Sequence, residues 1–277
     1  MGAHRLVHAA LALALVATGC DGDSGSAAPD ARDVGSPASS PTPTTDSSPT
    51  PAASPTLAPG DPCPPSNEPA LPDDAGCVSV VEGDLDGDGR ADRLFVFALV
   101  DGDGHARAWR ARAEVGGETV AGPHFHRKAH TPHAIAAVDA DGDGADEVFV
   151  KVSDHLYHSG ASHIVGVLKL HDGALVQVVE RGHGPMNADV GGVTRFGEGV
   201  ECADGARGPE LRVLRTEAAN DAYTRWDWSR KVYRWHGASL VYVETRRGTL
   251  KTDGYNDPDR YRFYRLECRG VVYPELG

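Results

Sequence analysis

Positive charge is scarce in this sequence: 27 lysines and arginines stand against 40 aspartates and glutamates, a formal net charge of −13. A polyanion is drawn in by a positive field, so general nucleic-acid binding is excluded. Long apolar runs are also missing. The run at residues 6–17 is shorter than the roughly 20 residues that span a bilayer. Closely spaced cysteine pairs are absent, which excludes the usual zinc-site spacing. No long segment sustains a helical period, so the folded part reads as mostly β.

What is present begins with "MGAHRLVHAALALALVATGC": His4 and Arg5, a short apolar core, then small residues before Cys20. This is the layout of a secretory signal peptide. Without a twin arginine, the general secretion route is expected. The small residues before Cys20 resemble the lipobox of bacterial lipoproteins. That resemblance implies a signal peptide over 1–19, a lipidated Cys20 and anchorage to the outer face of the bacterial cell membrane. The competing reading is an ordinary signal peptide with an incidental cysteine. Residues 20–60, with "SSPTPTTDSSPTPAASPTLAPG" at their centre, are rich in Ser, Thr, Pro and Ala. Such a stretch cannot bury enough apolar surface to offset its ordering entropy and reads as a disordered tether.

The folded domain is expected over 61–277. It holds four cysteines, Cys63, Cys77, Cys202 and Cys268. An even number in an exported chain favours two disulfides, and three pairings are open. The preferred one joins Cys63 to Cys77, closing a short Pro-rich loop, and Cys202 to Cys268, tying back the C-terminal segment.

From Cys77 the chain alternates strand and turn signals. "GDLDGDGRAD" is followed by the apolar "RLFVF", and 55 residues later "VDADGDGADE" is followed by "VFVKV". A third, eroded copy is read in "ECADGARGPELRVL", where Cys202, Asp204 and Ala206 stand opposite Asp139, Asp141 and Asp143: the glycine-rich turn and the apolar strand are kept and the metal site is lost. Further on, "KVYRWHGASLVYVET" reads as a hairpin around His236 and Gly237, and "RYRFYRLECRGVVY" as the last strand. A repeat of this length indicates stacked or radial β units, none of which buries its own apolar face alone.

The two acidic loops resemble the calcium loops of FG-GAP/VCBS repeats, which build integrin-α-type β-propellers. The resemblance covers about residues 78–213. It implies an all-β fold, a small or incomplete propeller-like array of three to four blades. Hard oxygen donors at alternate positions suit Ca²⁺, which takes six to eight oxygens. Carried over position by position, the resemblance assigns Asp84, Asp86, Asp88 and Asp92 with the Arg90 carbonyl to one site. A second site takes Asp139, Asp141, Asp143 and Glu147 with the Ala145 carbonyl. Gly87, Gly89, Gly142 and Gly144 let each loop wrap an ion. An EF-hand is excluded, because its twelfth position must be a bidentate Glu and here holds Phe95 or Val150. Solvated Asp/Gly turns are the competing reading, and the one accepted for "DGDG" at 101–104.

Other clusters are weaker. The histidines at 124, 126, 130 and 133, and at 155, 158, 163 and 171, lack a carboxylate or cysteine at ligand spacing. Ser159 and Ser162 lie near histidines without a Gly-x-Ser-x-Gly elbow. The segment 225–269 interleaves basic residues with Trp226, Trp228, Tyr233, Trp235, Tyr261, Phe263 and Tyr264. That pattern reads as strand packing or as a surface for a polyanion or glycan. The expected function is therefore a non-catalytic, cell-surface calcium-binding lipoprotein, a binding, adhesion or scaffold module. Its candidate ligands are an envelope glycan or a protein. The alternative is an extracytoplasmic hydrolase acting on carbohydrate or a phosphate ester.

Overall fold

The computed structural model describes residues 61–125, 132–157 and 160–274. The expected signal peptide, Cys20 and the tether lie outside them, as do His126, His130, His158 and Ser159. Four strands, β1 (Ala75–Gly83), β2 (Asp92–Val100), β3 (Ala106–Val115) and β4 (Glu118–Phe125), form an antiparallel meander in chain order. A second meander repeats it with β5 (His133–Val138), β6 (Glu147–Tyr157), β7 (Gly160–His171) and β8 (Ala174–Gln177). After the short β9 (Val179–Glu180) and β10 (Gly184–Pro185) come β11 (Asn187–Val193), β12 (Phe196–Gly205), β13 (Gly208–Ala218), β14 (Arg225–His236) and β15 (Ser239–Lys251). Two short strands, β16 (Leu266–Cys268) and β17 (Val271–Tyr273), complete the described fold. Apart from a 3-10 segment at Pro258–Tyr264, the regular structure described is all β.

The first meander is a separate four-stranded sheet. The second merges with β11–β15, because β11 pairs with the first half of β7 while β8 pairs with its end. Neither sheet closes on itself.

Why "RLFVFAL" and "VFVKV" are almost continuously apolar follows from their position. Successive strand residues point to opposite faces, and both faces of these strands are covered. Leu94, Val96 and Ala98 enter the core shared with the second meander, while Phe95 and Phe97 pack with Leu71 and Ala75 behind it. In the second meander Val148, Val150 and Leu168 face that shared core, and Phe149, Val165 and Val167 face the next one. Each such side chain contributes roughly 1.5–3 kcal/mol relative to exposure. The positions obey the repeat: Leu94 and Phe149, 55 residues apart, both face forward, Leu94 to the second meander and Phe149 to the β11–β15 part of its own sheet.

The pairing closes each meander's first hairpin at the same place, Gly83 opposite Asp92 and Val138 opposite Glu147. The acidic segments 84–91 and 139–146 are therefore equivalent inter-strand loops.

Two expectations are corrected. The segment around Cys202, expected as a copy of the strand–loop–strand unit without its metal site, is a tight hairpin rather than a unit with a loop of the length of 84–91. β12 and β13 form a continuous ladder from Phe196↔Glu217 to Gly205↔Gly208, with a tight turn at Ala206 and Arg207. Cys202 and Asp204 lie within the strand, and a ladder leaves no slack for a loop to curl around an ion. The stretch 260–273 is not one strand either. Asp257 caps the 3-10 segment by accepting the Asp259 N–H at 2.9 Å, with Pro258 at its start, both of which favour helical entry. Arg260, only 2% exposed, then turns inward, its guanidinium 3.9 Å from the Trp226 ring centroid and 4.2 Å from that of Tyr255. The hairpin around His236 and Gly237 is present as β14–β15.

Disulfides join Cys63 to Cys77 and Cys202 to Cys268. The second fastens β12 to β16, which run parallel with Val200 opposite Leu266.

Candidate metal centre

Loop one is folded by its own carboxylates. Asp84 Oδ1 accepts the Asp88 N–H at 3.0 Å and Asp84 Oδ2 the Gly89 N–H at 2.8 Å. Asp86 Oδ1 takes the Asp88 N–H at 3.1 Å, and Asp88 Oδ1 the Arg90 N–H at 2.8 Å. Gly87 and Gly89 adopt φ of 76° and 82°, values that a Cβ would oppose. At the strand end the buried Asp92 accepts the N–H groups of Leu85 and Gly116, both at 3.1 Å. The result brings one oxygen each from Asp84, Asp86 and Asp92 within 4.8 Å of one another. Asp88 stands outside that trio, exposed at the rim. Among the described residues, no lysine, arginine or histidine makes an ion pair with any of the four. Three converging carboxylates repel one another, so this arrangement could hold a metal ion, and its all-oxygen donors fit a hard one.

Loop two repeats the geometry. Asp139 accepts the Gly142 N–H at 2.7 Å and the Gly144 N–H at 3.3 Å; Asp141 takes Asp143 N–H and Asp143 takes Ala145 N–H, at 3.1 and 3.0 Å. Glu147 accepts the N–H groups of Ala140 and Asp141 at 2.8 and 3.2 Å. Oxygens of Asp139, Asp141 and Glu147 again converge within 4.8 Å.

One feature separates the loops. The Lys169 ammonium, on β7, lies 2.6 Å from Asp141 Oδ2, 2.8 Å from Asp143 Oδ2 and 2.5 Å from Glu147 Oε1. Its side chain is 4% exposed and that of Glu147 fully buried. Burial pushes the Glu147 carboxyl up to about 7, against the pull of Lys169. Burial likewise raises Asp141. For Asp143 burial acts upward too, but the bonds from Lys169 and the Ala145 N–H outweigh it and the carboxyl falls below its ordinary value. Burial alone would lower Lys169, yet three carboxylate bonds reverse this and hold it above its ordinary value.

The loops are also joined. Asp84 N–H donates to Asp146 Oδ2 at 2.9 Å, and Asp146 N–H returns a bond to the Asp84 carbonyl at 2.6 Å. A Cβ on Gly83 would stand 2.5 Å from that of Ala137, so only glycine permits this approach. Burial raises the Asp146 carboxyl. Beside the junction lies an open cleft of about 460 Å³, lined by Asp86, Val115, Asp143, Ala145, Lys169 and His171 among others.

Of the eight carboxylates expected in the two sites, Asp84, Asp86 and Asp92 converge in one and Asp139, Asp141 and Glu147 in the other, whereas Asp88 and Asp143 stand outside these trios. Arg90 and Ala145 appear through their N–H groups, as donors to the preceding aspartates. Reasoning from local spacing missed Lys169 and Asp146. A lysine inside the apolar run "HIVGVLKLH" was the available signal, since an ammonium is seldom buried unpaired.

His133, His155, His163 and Ser162 each bond a carboxylate or the Tyr273 hydroxyl. His155 lies 2.9 Å from Asp189, His163 2.5 Å from Asp154, and His133 3.4 Å from the Tyr273 hydroxyl. Ser162 Oγ donates to Asp189, which leaves it tied to a carboxylate rather than to an imidazole. At 101–104, Asp101 Oδ1 accepts the Asp103 and His105 N–H groups, a self-contained turn. Of the aromatic series, Trp226, Tyr233 and Phe263 are core residues, whereas Tyr261 is exposed. No family model, curated protein or solved structure matches the chain.

Proposed function

We propose that this protein is a non-catalytic calcium-binding module of the cell surface, exported and held by lipid at Cys20 to the outer face of the bacterial membrane. On this reading its β domain is a small propeller-like array of FG-GAP/VCBS type that serves binding, adhesion or scaffolding. One observation carries the calcium reading: Asp84, Asp86 and Asp92 converge in a glycine-shaped loop with no counter-cation of their own among the described residues. An irregular set of all-oxygen donors suits Ca²⁺ better than Mg²⁺, which demands a tight octahedron and keeps its waters. The forward-facing repeat of Leu94 and Phe149 supports the array. An ion in loop one would stiffen the Asp84–Asp146 junction between successive sheets, a structural role. Extracellular modules bind calcium with dissociation constants of roughly 10⁻⁴–10⁻³ M. At about 1–2 mM calcium that stabilises the fold by roughly 0.4–1.8 kcal/mol. The ligand of such a module would be an envelope glycan or a protein.

Calorimetric titration of the purified chain with calcium tests the proposal. Binding that raises the melting temperature and disappears in Asp86→Ala is expected; no heat and no shift at millimolar calcium refutes it. Lipidation is tested separately by Cys20→Ser, which should move the protein from the membrane fraction to the medium.

A further inference from the structure

We infer that loop two carries its own cation, the Lys169 ammonium, and so binds no divalent ion, leaving loop one as the single metal site of the acidic pair. The inference rests on the reading of loop one as an ion site, and it deepens that reading by dividing the two loops by chemistry.

The geometry is that of a filled site. Lys169 Nζ bonds Asp141, Asp143 and Glu147 at 2.5–2.8 Å, using two of the three carboxylates that converge in loop two. A divalent ion there would meet an ammonium at bonding distance from its own ligands. The side chain is held in place by its bonds and packing: it is 4% exposed and shares its strand face with the buried Val165 and Val167.

The pairing shows what stands in this place in loop one. β2 sets Arg93 opposite Glu114, and β6 sets Val148, 55 residues later, opposite Leu168. The residue after each is therefore equivalent: Val115 in the first meander, Lys169 in the second. Both line the same cleft. An apolar valine provides no charge, so the loop-one carboxylates need a cation from solution, whereas the loop-two carboxylates have one built into the chain.

The division has a functional consequence. Loop one joins the first meander to the second through Asp84 and Asp146. Loop two faces the β12–β13 end of its own sheet, with Gly142 close against Pro209. Calcium would thus tune the first junction only, and the second would stay locked at any calcium concentration.

The experiment counts ions per chain by calorimetry with calcium alone, with circular dichroism to confirm folding. Wild type should bind one ion, and Asp86→Ala none. Lys169→Ala should bind two, and Asp86→Ala/Lys169→Ala one, held in loop two. Should removal of the lysine unfold the chain, Val115→Lys decides: transplanting the ammonium should abolish the loop-one site in a folded protein. Two ions in wild type, no gain in a folded Lys169→Ala, or calcium binding unchanged in Val115→Lys each overturns the inference. A wild type that binds nothing, with one ion gained in Lys169→Ala, would refute the loop-one reading and uphold the role of Lys169.

Discussion

Asp92 and Glu147 close the two acidic loops at equivalent positions, so alanine at each isolates what differs between them. Asp92, 5% exposed, accepts N–H groups from Leu85 and Gly116. Gly116 is exposed and finds water when the carboxylate goes; the N–H of buried Leu85 does not. Hydrogen bonds to charged groups contribute about 1.5–3 kcal/mol, so Asp92→Ala should cost about 2 kcal/mol. Glu147 is fully buried and accepts from Ala140 and Asp141, worth about 3–6 kcal/mol by the same measure. Its loss also leaves the buried Lys169 short of one of three partners, a cost on the order of 1 kcal/mol while the other two remain. Glu147→Ala should therefore exceed Asp92→Ala by about 2–5 kcal/mol. Urea unfolding in calcium-free buffer at pH 8, above the raised value of the Glu147 carboxyl, measures this as a larger fall in midpoint at constant slope. The combined Glu147→Ala/Lys169→Met variant should cost at least about 1 kcal/mol less than the sum of its parts, because the two groups share one interaction. Equal midpoint shifts for the two alanine variants, or strict additivity with Lys169→Met, would refute the reasoning.

The raised Glu147 carboxyl predicts a pH dependence. The folded state keeps this proton up to about pH 7, whereas the unfolded chain releases it near its ordinary value of 4.5. Folding takes up a proton between those values, so this group's contribution to stability falls as pH rises through that window, by about 3 kcal/mol. Glu147→Gln should flatten that part of the profile; parallel urea-midpoint curves for the two proteins from pH 4.5 to 8 would contradict it. The disulfides close loops with sequence separations of 14 and 66. Chain entropy then predicts losses of about 3 kcal/mol for Cys63→Ala/Cys77→Ala and about 4 kcal/mol for Cys202→Ala/Cys268→Ala, and the reverse order in urea would count against it. Arg260→Ala empties a cage of Trp226, Tyr255 and Tyr264 and removes a 2.6 Å bond to the Tyr264 hydroxyl. A loss of about 2–4 kcal/mol with a collapsed near-ultraviolet dichroism signal is expected, and Arg260→Lys should recover little of it, since an ammonium cannot stack as a guanidinium does.

Much of this protein is written locally. Alternate aspartates with glycines between them can fold only as a tight loop whose carboxylates turn back on their own N–H groups, and both copies do so. The apolar runs after each loop read as strands, because they are short, rich in Val and Phe and bounded by turn residues. Those features depend on neighbours a few positions away, and the chain order alone supplies them. What the tertiary structure decided depends on residues far apart in sequence. Lys169 reaches Glu147 across 22 residues and Asp141 across 28, through the pairing of β6 with β7. Asp146 meets Asp84 across 62 residues, where two sheets dock. Cys202 faces Cys268 because β16 runs parallel to β12, and the continuous β12–β13 ladder denies the segment around Cys202 the slack of an acidic loop. Spacing can gather the ligands of an ion; only packing determines whether a cation from the chain already stands among them.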